Sequence, residues 1–426
     1  MEKETFQLNE FELNDSRVYR DPIHNYIHVN HLLIWHLINT KEMQRLRRIK
    51  QLGGTFQVYQ TAEHSRFTHS LGVYEIVRRM IEETEIKRYL NDYDKATVLC
   101  AGLLHDLGHG PFSHSFEQVF HTNHEKITVD IILKDSEVHD VLSRYHPDLP
   151  KDVASVIEKK HPNKILVQMI SSQIDADRID YLLRDSYFTG TTYGQFDLGR
   201  LLRSIRIVNH QIVFKYSGVQ AIEDYILARY HMYWQVYYHP TARSFEQLLI
   251  QVFRRAQDLY KDGFDFGCDL RYLWPFLKNH WDHKDYFNLD ETVIQYYFRC
   301  FSDASDAILS DLASRFLNRH LLKHQDYQDI HEVEALKTLA LENGFDPQYY
   351  IITDNQKQIP YKHYGANGNI EDIKILMPDK KDIKDLPEVS EIVDAIVRSK
   401  RNKVDKKVYY PKEIKKIKGP VDSLCG

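Results

Sequence analysis

Cysteine is scarce in this chain and unclustered. Only Cys100, Cys268, Cys300 and Cys425 occur, with no CxxC pair, which argues against a disulfide framework or a cysteine-rich zinc site. Any bound metal must therefore be held by histidine and carboxylate. No uncharged apolar run approaches the roughly 18 residues of a membrane span. The first twenty residues carry Glu2, Glu4, Glu10, Glu12 and Asp15 and lack the basic start and apolar middle of a signal peptide, so a cytoplasmic protein with no membrane partner is expected. Glycine is sparse, and no long Pro/Gly/Ser linker or internal repeat interrupts the chain.

Histidine, by contrast, is abundant: 23 residues against 17 glycines. The 426 residues, 42% of them apolar and 27% charged, are ample for a sizeable core and exclude general disorder. The net charge of −5 conceals an asymmetry. From Arg398 to Lys418 the local balance is +8, which leaves −13 for the remainder.

Apolar spacing predicts a mainly helical fold. Helices are expected over Glu42 to Leu52, stopped by Gly53-Gly54, and over Leu71 to Arg88. Lys95 to Leu107 is almost wholly apolar and reads as a buried helix broken by Gly108, Gly110 and Pro111. Further helical segments are Ile127 to Leu133, Val153 to Ile157, Ile165 to Ile174, Val219 to Tyr260, Glu291 to Leu317 and His331 to Glu342. One hairpin is expected over Ile205 to Phe214, turning at Asn209-His210. From Asp346 the texture becomes mixed, with strands at Tyr349 to Thr353 and Ile373 to Met377 and a short helix at Glu391 to Arg398. The expected organisation is a helical core over 1–265, a helical extension over 266–345 and a smaller mixed α/β lobe over 346–426 that ends in the basic stretch.

Four places concentrate chemistry: His64-Ser-Arg66-Phe-Thr-His69; His105-Asp106-Leu-Gly-His109-Gly-Pro-Phe-Ser-His114; His124-Glu125; and Asp175-Ala-Asp177-Arg178-Ile-Asp180-Tyr181, continuing to Asp185. His105-Asp106 ends a buried apolar helix. Burying an unpartnered polar group costs roughly 2–7 kcal/mol, and a divalent ion beyond the helix end would satisfy both side chains. The dipeptide alone carries little, because His139-Asp140 occurs in a plain polar setting. The apolar lead-in, the Gly-rich exit and the nearby histidines carry more. Asp177, Tyr181 and Asp185 fall at four-residue steps on one helix face, which suits a solvated surface or a cavity wall equally. Tyr225, Arg229, Tyr233 and Tyr237 make a second such stripe, and its Arg hints weakly at an anion.

Taken together, the strings DPIHNYI from Asp21, QRLRRIKQLGG from Gln44, HSRFTHSLG from His64, AGLLHDLGHGPFSH from Ala101 and DADRIDYLLRD from Asp175 resemble the HD-domain deoxynucleoside triphosphate triphosphohydrolases, strongly over residues 17–260. The resemblance implies an HD-domain helical fold and metal-dependent hydrolysis of dNTPs to deoxynucleoside and inorganic triphosphate. One divalent metal ion would be held by His69, His105, Asp106 and Asp177. Arg66 would bind phosphate. Arg178 stands where the family carries lysine, which keeps the charge but changes its geometry. Tyr181, Arg229, Tyr233 and Tyr237 would line the nucleotide, Asp185 would bind the sugar 3′-hydroxyl, and Gln51 and Leu52 would crowd a 2′-hydroxyl. His114 is the candidate general acid, with Glu117 one helical turn on to hold it, and His109, His124 and Glu125 are further active-site candidates.

The resemblance also implies a homotetramer activated by dGTP or GTP at Arg17, Val18, Arg20, Asn39, Gln44 and Arg47. Asn39 replaces an Asp that reads guanine in the human member. The basic C-terminal stretch either joins those phosphate contacts or is a solvated tail. Two other readings stand beside this one. A nucleic-acid or nucleotide binder would use the basic stretch, but it leaves the metal set without a purpose. Another HD-type phosphohydrolase is disfavoured by Asp185 and the QLGG string.

Overall fold

Residues 3–357, 372–398 and 404–414 are described in a computed structural model of the chain. After two 3-10 turns, Lys3–Thr5 and Leu8–Phe11, comes an antiparallel hairpin that the apolar spacing does not reveal. Its strands are β1 (Glu12–Asp21) and β2 (Asn25–His31). Mostly polar β1 shows no period-2 apolar pattern, because the outer strand is largely solvent-exposed. Helix α1 (Leu32–Ile38) follows at once. The helix expected over Glu42 to Leu52 is shorter: α2 (Lys41–Arg45) tightens into a 3-10 turn at Leu46–Arg48. The chain then extends so that Lys50 pairs with Ser65, Gln51 N–H bonds the His64 carbonyl and Arg66 N–H bonds that of Ile49. Two segments rich in functional residues are thereby laid side by side.

Helix α3 (Arg66–Glu83) begins earlier than expected and takes His69 into its first turn, with a 3-10 turn, Glu85–Arg88, beyond it. Helix α4 (Asp92–Leu104) is capped by Asn91 and is buried along almost its whole length, as its apolar run predicts. It packs against α3, α8 (Leu149–Ile157) and α9 (Lys164–Ile170). Between α4 and α8 lie α5 (His114–Phe120), α6 (His124–Leu133) and α7 (Glu137–Tyr145). Gly108 allows a close approach here, since a Cβ would strike the His124 carbonyl and the Thr128 backbone on α6. Helix α10 (Ala176–Thr189) is capped by Asp175 and stopped by Gly190 at φ 71°. It lies along α3.

After α11 (Leu198–Ser204) comes the expected hairpin, β3 (Ile205–Val208) and β4 (Gln211–Lys215), whose turn residues Asn209 and His210 both take positive φ. The long helix expected over Val219 to Tyr260 is divided. α12 (Val219–Met232) runs into a π-helical turn, Tyr233–Tyr237, before α13 (Pro240–Lys261) starts at a proline. Helices α14 (Trp274–Leu277), α15 (His283–Phe287), α16 (Glu291–Ser302) and α17 (Ala307–Leu317) follow, with Asp306 capping α17 where a single helix was expected.

Strand β5 (Lys323–Asp326), α18 (Ile330–Glu342) and α19 (Pro347–Tyr350) lead to β6 (Ile352–Lys357). The strand expected from Tyr349 thus begins later, because Pro347 opens a helical turn capped by Asp346. The remaining elements are β7 (Lys374–Leu376), β8 (Ile383–Asp385), α20 (Leu386–Val389), α21 (Glu391–Arg398) and β9 (Val404–Tyr410). The sheets have orders β1-β2, β3-β4-β7-β8 and β5-β9-β6. β7 joins β4 in parallel, so residues 374–376 complete a sheet begun in the helical core. Of the basic stretch, residues 399–403 and 415–418 lie outside the described residues, and Lys407 bonds Asp326 across β9 and β5. The described Cys100, Cys268 and Cys300 are free thiols. Among the described residues no helix is long and apolar enough to cross a membrane.

Candidate functional site

A cleft of about 550 Å³ opens between the N-terminal ends of α3, α5, α10 and α13 and the π-helical turn. On its floor, His69 Nε2 is 3.1 Å from Asp177 Oδ1 and 3.8 Å from Asp106 Oδ2, while His105 Nε2 is 3.4 Å from Asp106 Oδ1 and 3.6 Å from Asp177 Oδ1. Three elements deliver these residues: the first turn of α3, the end of α4 and the first turn of α10. His69 is fully buried, while Asp177 opens to the cleft.

The far nitrogens identify what the near ones can do. His105 Nδ1 donates to the Gly102 carbonyl at 2.9 Å, which leaves Nε2 buried and without a hydrogen-bond partner among the described residues. His69 Nδ1 is 2.9 Å from Asp180 Oδ2. Both Nε2 lone pairs are thus fixed towards two carboxylates, an arrangement that repels itself unless a cation lies between. Without an ion a proton must serve. Burial depresses the His69 pKa, but hydrogen bonds to Asp177 and Asp180 outweigh it and raise the imidazole to about 10. The donor set of two imidazoles and two carboxylates fits a divalent ion.

A second histidine group borders the first. His124 Nδ1 lies 2.7 Å from Glu117 Oε1 and His114 Nδ1 lies 3.2 Å from Glu117 Oε2. The His124 N–H also donates to Glu117 at 2.7 Å. Burial raises the Glu117 pKa, yet the bonds from His114 and His124 prevail and hold it well below the usual range. His109 stacks on His124 at 3.9 Å, with its Nε2 3.4 Å from Asp106. Burial, then Arg66, hold His109 well below its usual pKa, so it is neutral near pH 7. His114 is 78% exposed and points a free edge into the cleft mouth.

Arg66 bonds Asp106 and donates to Ser113 Oγ at 2.9 Å. Phe112 and Ser113 both hold positive φ, 56° and 46°, and such strain in non-glycine residues concentrates at functional sites. On the opposite wall Asp185 is pinned on both oxygens, by His64 Nε2 at 2.8 Å and by the Tyr237 hydroxyl at 2.7 Å. Gln51, Leu52, Tyr181 and Tyr233 complete this wall.

The structure does not gather every expected residue there. Arg178 turns back to Asp175, and Arg229 is buried against Gln173 at 3.1 Å, so neither lines the cleft. Glu125 is on the surface, 3.8 Å from Lys159. Arg17, Val18 and Arg20 are exposed on β1, where Arg17 lies over Trp35 and Arg20 over Tyr26. Asn39 ends α1 and bonds the Trp35 carbonyl; Gln44 bonds the Ile38 carbonyl and receives Arg47 at 2.8 Å. None of these six lines the cleft, and Arg47 lies over the ring of Phe67 on α3.

Other residues had no role assigned from the sequence. Asp180 bonds His69, His24 and Arg184; its place three residues after Asp177 on α10 was the available signal. Arg45 donates to the carbonyls of Leu289 and His109. Glu291 accepts from the backbone N–H of Lys50 and Phe112 at 3.0 and 3.2 Å. Its role had no local signal, because its partners lie more than 170 residues away. Arg243 and Glu246 of α13 also reach the cleft.

Comparison with known proteins bears on this site. Residues 66–185 match the HD domain and residues 196–264 the HD associated region. The uncharacterized protein YwfO of Bacillus subtilis is 48% identical over 408 residues, 95% of this chain and 94% of that protein. A deoxynucleoside triphosphate triphosphohydrolase SAMHD1 homolog of Dictyostelium discoideum is 31% identical over 264 residues, 58% of this chain and half of that protein. The crystal structure of a phosphohydrolase from Bacteroides thetaiotaomicron superposes with a TM-score of 0.82 at 26% identity, covering 93% of this chain and all of the other.

Proposed function

The chain belongs to the HD-domain family, and on that premise we propose that it hydrolyses deoxynucleoside triphosphates to deoxynucleoside and inorganic triphosphate. The observation that carries the reading is the paired orientation of His69 and His105. Each gives its Nδ1 to a fixed acceptor and turns Nε2 towards Asp106 and Asp177. These four residues would hold one divalent ion. When bound, such an ion supplies positive charge to polarise a phosphoryl oxygen and offset charge developing in the transition state.

The chain's own groups perform the rest. Arg66, anchored by Ser113, presents a guanidinium to the phosphates. Arg178, paired with Asp175, and Arg229, bonded to Gln173, are outside the cleft lining and are given no phosphate contact. Asp185, held by His64 and Tyr237, accepts from the sugar 3′-hydroxyl. Gln51 and Leu52 crowd the position of a 2′-hydroxyl, which would select deoxyribose. Tyr181, Tyr233 and Tyr237 supply flat apolar surface for the nucleoside.

Attack of water at the α-phosphorus leaves the 5′-oxygen in need of a proton. His114, with Nδ1 held by ionised Glu117 and its other edge in the cleft, gives that proton. His124 shares Glu117 and buttresses His109, which packs against Asp106. Outside the cleft lining, Arg17, Val18, Arg20, Asn39, Gln44 and Arg47 bind an activating dGTP or GTP between subunits of a homotetramer.

Product analysis tests the reaction. Protein with Mn²⁺ or Mg²⁺ and mixed dNTPs, with and without dGTP, should yield deoxynucleoside and intact triphosphate. Pyrophosphate with nucleoside monophosphate, or stepwise phosphate release, would reject it.

A further inference from the structure

The β1–β2 turn exposes Pro22 and Asn25 but sends the buried side chains of Asp21 and His24 beneath the cleft floor. Asp21 Oδ1 accepts from the backbone N–H of Ile23 and His24 at 2.9 and 3.0 Å, which closes the turn, and Asp21 Oδ2 receives Arg184 at 2.8 Å. His24 Nε2 reaches Asp180 Oδ1 at 2.7 Å. Arg184 also grips Asp180, with Nε 2.8 Å from Oδ2 and Nη2 3.0 Å from Oδ1. Asp180 Oδ2 in turn meets His69 Nδ1 at 2.9 Å. The side chains of His24, Asp180, Arg184 and His69 are at most 1% exposed.

Gly72, one turn after His69 on α3, makes the contact possible. A Cβ there would collide with the Asp180 carboxylate and the Arg184 guanidinium.

We infer that the N-terminal turn is part of the outer shell of the metal site, with His24 and Asp21 acting as positioning residues for His69. This inference rests on the metal assignment proposed above. The physical reason is rotational. Asp180 fixes the His69 tautomer and ring plane only if its own carboxylate cannot turn. One oxygen is held by His24 and Arg184 Nη2, and the other is shared between Arg184 Nε and His69. Removing His24 leaves the carboxylate one partner short, and removing the Asp21 charge loosens Arg184. Strand β1, which leads into this turn, carries Arg17, Val18 and Arg20, so displacement of the hairpin reaches the His69 imidazole through Asp21, Arg184 and Asp180 or through His24 and Asp180.

The test reads metal affinity and not turnover. Chelator-treated full-length protein is titrated with Mn²⁺, and free ion is followed by electron paramagnetic resonance. His24→Leu should weaken Mn²⁺ binding about 10- to 100-fold, the scale of outer-shell losses. His24→Gln, whose side-chain amide can donate to Asp180, should stay within about threefold of wild type. Asp21→Asn should lose roughly 3- to 10-fold, and it carries the test if His24→Leu does not fold. Tyr74→Phe is the control, since that hydroxyl bonds the His28 carbonyl of the same hairpin outside the chain of contacts; it should bind as wild type. Wild-type affinity in His24→Leu and Asp21→Asn would overturn the inference and leave the metal site standing. Absence of Mn²⁺ binding by the wild type would overturn the metal assignment itself.

Discussion

Two histidine clusters share the cleft, built from the same residue types and wired in opposite senses. In the first, His69 and His105 spend Nδ1 on Asp180 and the Gly102 carbonyl and face two carboxylates with Nε2. In the second, His114 and His124 both spend Nδ1 on a single acid, Glu117, and His114 stands 78% exposed. Either group could be read as a metal site from composition, since His69, His105 and Asp106, and equally His109, Glu117 and His124, place ligand atoms within 4.8 Å of one another. The second-nitrogen partners tell them apart. A rigid, buried set with inward lone pairs suits an ion. A set hinged on one ionised carboxylate, open to the cleft, suits a mobile proton.

The contrast breaks most visibly at Glu117. Glu117→Gln removes the charge that orients His114 and His124 but leaves the first cluster intact, so kcat should fall by roughly 10²–10⁴, the usual worth of general acid–base catalysis, with metal binding retained. Steady-state kinetics with constant metal occupancy checks this, and a kcat within about threefold of wild type would remove Glu117 and His114 from proton transfer.

Glu291 sharpens the contrast from the other side. It bonds the Lys50 and Phe112 segments beside the cleft, yet among the described residues only backbone N–H groups hydrogen-bond it, and burial pushes its pKa up to about 7. A carboxyl raised in the fold contributes stability at low pH that is lost as pH rises from its ordinary value through about 7. Glu291→Gln escapes that loss. It should be more stable than wild type by roughly 3 kcal/mol at pH 8 and by less than about 1 kcal/mol at pH 5. Denaturant unfolding at the two pH values checks the sign, and a variant less stable at pH 8 would contradict it.

The smallest effect belongs to Asn39. Asn39 is exposed and ends α1, so Asn39→Ala should change the activation ratio for dGTP over other nucleotides by only about threefold, near one modest hydrogen bond. An unchanged activator profile would remove Asn39 from the regulatory set.

How much of this was legible beforehand follows the range of the interactions. The buried α4 announced itself by an unbroken apolar run, and the β3–β4 turn by Asn209-His210. The shared face of Asp177, Tyr181 and Asp185 followed from helical spacing, and all three line the cleft. Strand β1 left no periodic trace because it is exposed, and β2 alternates only briefly at Ile27 and Val29, although the turn between them lay in the DPIHNYI string. Arg178 carried the right charge, but Asp175 three residues earlier captures it. Glu125 adjoined a site histidine in sequence, yet the helix turn carries it to the surface. Asp180, Glu291 and Arg45 act through partners that only the folded chain brings near. Chemistry written in consecutive residues was readable; its support from distant segments was not.

Metal content per chain reads directly which of the two clusters holds the ion. Wild type, Asp106→Ala and Glu117→Ala, each purified, loaded with Mn²⁺ and freed of excess, should carry one, no and one ion per chain. An ion kept by Asp106→Ala and lost from Glu117→Ala would place the metal in the other cluster and contradict the account.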